Sequence, residues 1–520
     1  MRSTHRNVDK FSPMNKQARR EAFIALIAPI GVNLNAVQTA LQESLRQIGY
    51  GTNQIRLTSI FDEIDHGYDT APADEYDRYV KLIAAGDRLC EDTKRNDILA
   101  LYGIHSLSRH HARGDGELIP NEVIHVFRQI KRVDEIQTLK EVFGRNILFL
   151  SCFASKEDRV GSLVKKLLET KRGVNRSDLE SLALKIISLD EDERGKPHGQ
   201  RVIDCYPHAD FVLDCSNHAS LTGSVDRFVN IYFGHPFVSP TKDEYCSYFA
   251  NAASYRSLDL SRQVGAAIFS KDCEIIALGC NEVPKAGGGT YWAESGDDAR
   301  DFALGRDSNQ QVREDMTRDV LVRLQKDWLR DDLKNHTPAD LSKLALNGPH
   351  APLKGSMIND VLEYGRMVHA EMNALGDAAR SRKSTQDAVL YCTTMPCHLC
   401  TKLIIASGIS RVVYLQPYPK SLVEELYADS VSLENSSLDH KVHFQTLKGV
   451  TPNGFRIAFR KTSRRKNSDG TAIAWDPLNA TPVFLSHFAY YQQLETRASK
   501  DFHSAIEKFL PEELKTPKGS

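Results

Sequence analysis

The chain has 520 residues, with Lys+Arg 67 against Asp+Glu 68, a formal charge of −1 and a sequence pI near 7.0. Its 41% hydrophobic and 26% charged residues are those of folded globular protein, which excludes a disordered chain, a collagen-like repeat and a small disulfide scaffold. The length exceeds what one core normally organises, so more than one domain is expected, and no global charge draws the molecule to nucleic acid or membrane.

Residues 1–18 are polar and basic without apolar period and read as a flexible arm. Ala22 to Val32 (AFIALIAPIGV) superficially resembles a signal peptide, but it contains Pro29 and Gly31 and lacks a small-residue cleavage site. A buried strand running into a turn explains it better. No apolar run approaches the ~20 residues of a membrane-spanning helix, so no membrane partner and a cytoplasmic location are expected. Leu34, Val37, Leu41, Leu45 and Ile48 then mark one helical face. Strands are predicted at 122–127, 146–153 and 210–213, with helices at 133–143, 155–170 and 224–233 between and after them. Such alternation argues a parallel sheet covered on both faces.

The segment GHPFVSPTK (234–242) marks a boundary. Beyond it the pattern predicts a helix at 245–255, paired strands at 264–269 and 274–278, and a long polar insertion from the Gly287–Gly289 run to about 360. A helix after His369, a strand at 389–393, a helix at 397–407 and a strand at 411–415 follow. The expected division is an arm at 1–18, an α/β domain at 19–235, a second α/β domain at 236–475 and a helical tail at 476–520. The chain's Cys residues, 10 in all, lie mostly in apolar stretches and read as small buried hydrophobes. Only Cys397 and Cys400 are spaced like metal ligands.

The chemistry concentrates in His369-Ala370-Glu371 and Pro396-Cys397-His398-Leu399-Cys400. A histidine and two thiolates are three good Zn2+ ligands, and three protein ligands leave a position open for water, whereas a structural site is normally closed with four. Glu371 sits two residues from the ligand histidine, near enough to move a proton at the metal without ligating it. A closed zinc knot recruiting His398 or Cys392 is the competing reading, but a knot needs no glutamate there. The H-x-E…P-C-x-x-C spacing is the signature of zinc nucleobase deaminases.

From about Pro240 to Phe459 the chain resembles the deoxycytidylate deaminase branch of the cytidine deaminase superfamily. Beyond the two zinc motifs, the likeness lies in SRQVGAA (261–267), IALGCNEVP (276–284) and IIASGISRVVYL (404–415). The resemblance implies a sheet sandwiched by helices and hydrolytic loss of the cytosine 4-amino group. It implies zinc on His369, Cys397 and Cys400, with Glu371 as catalytic proton shuttle. Asn281 would bind sugar or base, although a turn residue fits that position equally well. Backbone near Ala370 and Met395 would read the base edge. The insertion is longer than a minimal enzyme of this type carries, and its Asp297, Asp298 and Asp301 leave the phosphate preference between dCMP and dCTP open.

In the first domain, Ala28-Pro29-Ile30-Gly31-Val32-Asn33-Leu34-Asn35 occupies the place of a GxxxxGK[ST] phosphate loop. Leu34 replaces its lysine and Asn35 its Mg²⁺-binding hydroxyl, which argues against phosphoryl transfer. A bound nucleotide remains compatible with a helix N-terminus, as does a generic α/β domain without ligand. A degenerate P-loop, kinase-like domain ahead of a deoxycytidylate deaminase domain resembles the bacterial antiphage cytosine-nucleotide deaminases. That resemblance implies conversion of free deoxycytidine nucleotides, dCTP and/or dCMP, to deoxyuridine nucleotides, and so depletion of dCTP for a replicating phage. It further implies assembly as a homo-oligomer and restraint until infection, in some members by an inhibitory small RNA. The cluster Arg460, Lys461, Arg464, Arg465 and Lys466 is a candidate RNA contact, though a solvated loop accounts for it more simply. Two other functions compete: a cytosine or adenine deaminase of single-stranded nucleic acid, and a non-catalytic zinc-binding regulator.

Overall fold

The computed structural model describes residues 20–112, 122–171, 173–193, 196–347, 351–353, 356, 365–418, 421–434, 440–461, 463–485 and 491–509. The arm at 1–18, much of the insertion's last stretch and the end of the tail lie outside the described residues. The described chain is built on two six-stranded sheets.

The first sheet holds β1 (Arg20–Ile27), β2 (Gly51–Arg56), β3 (Glu122–Ile130), β4 (Ile147–Phe153) and β5 (Phe211–Asp214). They lie parallel in the order 5-4-1-3-2. In β1, Phe23, Ala25 and Ile27 enter one core while Ala22, Ile24 and Leu26 enter the other. Burial on both faces is why this strand reads as an unbroken apolar run. Helices cover each face. Leu34–Gln47 is capped by Asn33, whose side chain accepts from Ala36 N, and Lys156–Thr170 by Ser155, which accepts from Asp158 N.

The second sheet holds β6 (Gly265–Phe269), β7 (Ile275–Cys280), β8 (Val389–Thr394), β9 (Arg411–Gln416), β10 (Val431–Leu433) and β11 (Val442–Thr446). Its order is 10-11-9-8-6-7, with β6 antiparallel to both neighbours and the remaining pairs parallel. The expected mixed α/β architecture with two parallel-rich sheets is therefore present.

The chain then crosses back. β12 (Gly449–Val450) pairs antiparallel with β5 and completes the first sheet, Val450 facing Phe211. Phe455 and Phe459 of the helix Pro452–Phe459 pack on the core beneath it, and the helix Tyr491–Ile506 seats Ala498, Phe502 and Ile506 in the other core. The sequence groups residues 236–475 into one unit, whereas the structure hands 449–459 to the first layer. No described helix is long and apolar enough to cross a membrane.

Candidate active site

Two helix starts converge at the edge of the second sheet. His369 is the extended N-cap residue of the helix Ala370–Arg380, and Cys397 the extended N-cap residue of His398–Ala406. The first helix is fixed by β7. A Cβ on Gly279 would stand 2.2 Å from Ala370 O and 2.5 Å from Ala374 N, so only glycine allows this approach. Asn373 Nδ2 adds a bond of 2.9 Å to Cys280 O, and an antiparallel bridge joins Glu282 to Val368, the residue before the histidine. The second helix follows β8 through Met395, whose N–H donates to Gln416 O on β9 at 2.8 Å.

This framing brings His369 Nδ1 to 3.4 Å from Cys397 Sγ and 3.3 Å from Cys400 Sγ. A tetrahedral ion with bonds of ~2.3 Å to sulfur and ~2.0 Å to nitrogen requires such N···S separations to be about 3.5 Å. The donor set therefore fits zinc. Among the described residues, no fourth His, Cys, Asp or Glu ligand atom joins this group. Cys392 is buried in β8 and His398 half-buried on its helix, so the closed-knot reading loses its proposed fourth ligands.

The electrostatics suit thiolate ligation. A hydrogen bond with Cys400, and then the His369 imidazole, draw the Cys397 thiol down to about 4. The same hydrogen bond, with burial, pushes the Cys400 thiol up. The pair thus keeps one proton, which a metal ion displaces on binding. Burial opposes charge on His369, but Cys397 outweighs it and raises the imidazole. Glu371 is 4% exposed, hydrogen-bonded to Cys400, and held up by burial. A carboxyl raised in this way holds a proton more readily than a free one, as an acid–base group must.

A cavity of about 200 Å³ opens onto these groups. Asn281, Ala370 and Met395 line it. Asn281 is already engaged by the chain: its Oδ1 accepts from Val264 N at 2.7 Å, and its Nδ2 donates to Arg262 O at 2.8 Å and Asp259 Oδ2 at 3.1 Å. In this state it holds the 259–264 loop in place. The sequence reading assigned no role to Arg262, Arg366 or Tyr418, which line the same cavity. Arg262 lies 5.2 Å from the Tyr418 ring, and Arg366 is held by Asp301 at 3.3 Å. Asp301, Asp307 and Asn309 bring the insertion to the cavity wall. Asp298 instead pairs with Arg300.

The loop 28–35 lies in the other sheet, at the carboxyl end of β1, and borders a cavity of about 460 Å³. Its anion seat is taken by the chain itself. Ile30 N donates to Asp190 Oδ2 at 2.7 Å, and the other oxygen of this fully buried carboxylate pairs with Lys131 Nζ at 2.6 Å. Lys131 also donates to Ala28 O. Gly31, at φ +98°, lies so close to Arg159 that a Cβ would meet it at 2.6 Å. Arg56, Arg78, Arg128, Arg132 and Lys166 line the remaining space.

Residues 240–416 match the family model described as the cytidine and deoxycytidylate deaminase zinc-binding region. This part of the chain is therefore a cytidine deaminase superfamily domain, and Zn2+ is the cofactor its ligand set takes. Among similar proteins, deoxycytidylate deaminase of Saccharomyces cerevisiae is 53% identical over 51 residues, covering 10% of this chain and 16% of the relative. Deoxycytidylate deaminase of Enterobacteria phage T4 is 44% identical over 54 residues, 10% of this chain and 28% of the relative. ComE operon protein 2 of Bacillus subtilis is 33% identical over 100 residues, 18% of this chain and 51% of the relative. The chain thus spans about half, or less, of the length of these relatives. The dCMP deaminase from cyanophage S-TIM5, solved with dCMP and dUMP, aligns at 19% identity over 40% of this chain and 98% of that one, with a TM-score of 0.22. Likeness at that level carries no argument about the fold.

Proposed function

We propose that this protein hydrolyses the 4-amino group of free deoxycytidine nucleotides, releasing deoxyuridine nucleotides and ammonia. The observation that carries this reading is His369 Nδ1 at 3.3–3.4 Å from both sulfurs with a buried Glu371 beside them. His369, Cys397 and Cys400 would hold zinc, which when bound supplies Lewis acidity that ionises water near neutral pH. Glu371 carries one proton of the hydrolytic water to ring N3 of the base as the hydroxyl adds to C4, and then carries that hydroxyl's proton to the amino group, which leaves as ammonia as the C4 carbonyl forms. Asn281 keeps the 259–264 loop in position against the base, and Met395 and Ala370 wall the cavity. Arg262 and Arg366 supply positive charge for the phosphates.

Depletion of dCTP during phage replication follows from the resemblance alone. An inhibitory small RNA has the exposed strip Arg460, Lys461, Arg464, Arg465 and Lys466 in its favour. Assembly into a homo-oligomer is supported by Val320, Val322 and Trp328 of the insertion, left 43%, 45% and 83% exposed. A nucleotide in the first domain would use the cations around the 460 Å³ cavity, its phosphates standing outside the seat that Asp190 fills.

The test is chromatography of products after zinc-loaded protein meets dCMP, dCTP, CMP, CTP and a cytosine-containing oligonucleotide separately. Deoxyuridine products from the free nucleotides alone are expected, and their relative rates fix the phosphate preference. Conversion of the oligonucleotide alone would move the protein to nucleic-acid editing.

A further inference from the structure

A second group of metal-type donors lies in the first domain, at the amino ends of β1 and β3, the opposite strand end from the loop 28–35. Parallel pairing sets Phe23 against His125 and Glu21 against Val123, so Glu21 and His125 are diagonal neighbours on one face. The helix Ile98–Ala112 covers that face and brings His111 down in its last turn. The ligand atoms of Glu21, His111 and His125 all lie within 4.8 Å of one another.

The local chemistry suits a cation. His111 Nε2 stands 3.6 Å from Glu21 Oε2, close to the roughly 3.4 Å that two donors at ~2.0–2.1 Å from a tetrahedral ion must keep. His125 is fully buried and its Nε2 has no hydrogen-bond partner, an orphan that a metal bond would satisfy. His111 is steadied from behind, its Nδ1 lying 3.1 Å from Glu495 Oε1, the carboxylate partner usual for a ligating histidine. His125 Nδ1 faces the Asn53 side-chain amide at 3.0 Å; with that amide turned so that its oxygen accepts the Nδ1–H, Nε2 is left free to ligate. Tyr491 donates to Glu21 Oε2 at 2.7 Å, fixing the carboxylate. Glu21 and Glu495 are 7% and 3% exposed, and two carboxylates buried together call for positive charge between them.

We propose that Glu21, His111 and His125 form a second metal site, for a divalent first-row transition ion such as zinc. Three protein donors leave the ion's fourth position open, and the bound ion ties β1 and β3 to the helix Ile98–Ala112 and, through Glu495 and Tyr491, to the C-terminal helix. Two imidazoles and a carboxylate form a recognised zinc set, and the site is separate from the thiolate site in sequence, sheet and donor type.

The experiment strips the full chain with a chelator and titrates it back with Zn²⁺ and, in parallel, Co²⁺. Metal per chain is read by mass spectrometry, with the wild type compared with Cys397→Ala and His111→Gln. The wild type should take a second equivalent, and each variant should lose one. With cobalt, His111→Gln should keep the sulfur-to-metal charge-transfer band, while Cys397→Ala should lose it and retain only the weaker bands of a nitrogen and oxygen site. Metal should also raise the melting temperature of Cys397→Ala. His111 lies 3.1 Å from Glu495, so the melting temperature of metal-free His111→Gln is compared with that of the metal-free wild type, and an unchanged value assigns the lost equivalent to the ligand and not to the fold. A single equivalent in the wild type, or a stoichiometry unmoved by His111→Gln, overturns the proposal. Absence of the charge-transfer band in every protein would instead count against the thiolate site.

Discussion

Glu371 shares its helix turn with a metal ligand, yet it is not one of the ligating set, and this separation makes it testable by itself. Glu371→Gln should leave zinc content unchanged and lower turnover by about 10²–10⁴-fold, the usual worth of a positioned acid–base group. Metal analysis beside initial rates checks it, and undiminished turnover would remove the glutamate from the mechanism. A second residue acts through pH. His105 is buried against Phe502, bonded to Ser499 Oγ at 2.8 Å, and pushed down to about 4, first by burial and then by His503 and Arg109. Its folded value lies below the unfolded one near 6.5, so the stability it contributes is present above pH 6.5 and is lost as the pH falls toward 4. The loss should be on the order of 1 kcal/mol by pH 5. Melting temperatures at pH 7.5 and 5 should show the acid-induced drop shrinking in His105→Gln.

At the scale of elements, the close approach of β7 to the helix Ala370–Arg380 fixes where His369 and Glu371 stand. Gly279→Ala puts a methyl into Ala370 O. Overpacking of this kind costs about 1–3 kcal/mol, and a shift near 1 Å in a reacting group costs about 10²-fold in rate. A variant with near-normal melting and full activity would show that the helix can give way. Asp190 is the corresponding pivot of the first sheet. Asp190→Ala leaves Lys131 buried without its anion and should destabilise the first domain by about 3–5 kcal/mol, with Asp190→Asn milder, as denaturant titration will show. How much of this was legible in sequence follows from the same contacts. Helix 133–143 and β6 to β9 were readable because apolar period and turn chemistry agree there, whereas the short β10 and β11 were missed. β2 was missed as well: in GTNQIR only Ile55 is buried, as befits a strand at the sheet's margin. The helices Glu75–Thr93, Ile98–Ala112 and Arg176–Glu191 were also missed, since their burial is set by tertiary packing. The cluster of His369, Cys397 and Cys400 was legible because its spacing is local. Arg262, Arg366 and Tyr418 converge only through the fold, and Asp190 meets Ile30 from 160 positions away.

For the molecule as a whole, the return of the chain after the second sheet matters most. Val450, Phe455 and Phe459 pack on one core of the first layer, and Phe502 and Ile506 on the other. A fragment ending at residue 235 should therefore expose the β5 edge and both apolar faces, and sediment as aggregate where the full chain does not. A soluble, cooperatively melting fragment would contradict this. The same return sets an order of events on the ribosome. When β1 to β5 have emerged, the sheet still lacks β12, the partner of β5, and must wait for more than two hundred further residues to be translated. The first domain is thus completed last. The zinc-ligating segment, made in between, can close on its own sheet first, so a ribosome stalled before residue 449 would carry an assembled thiolate site on an unfinished first domain.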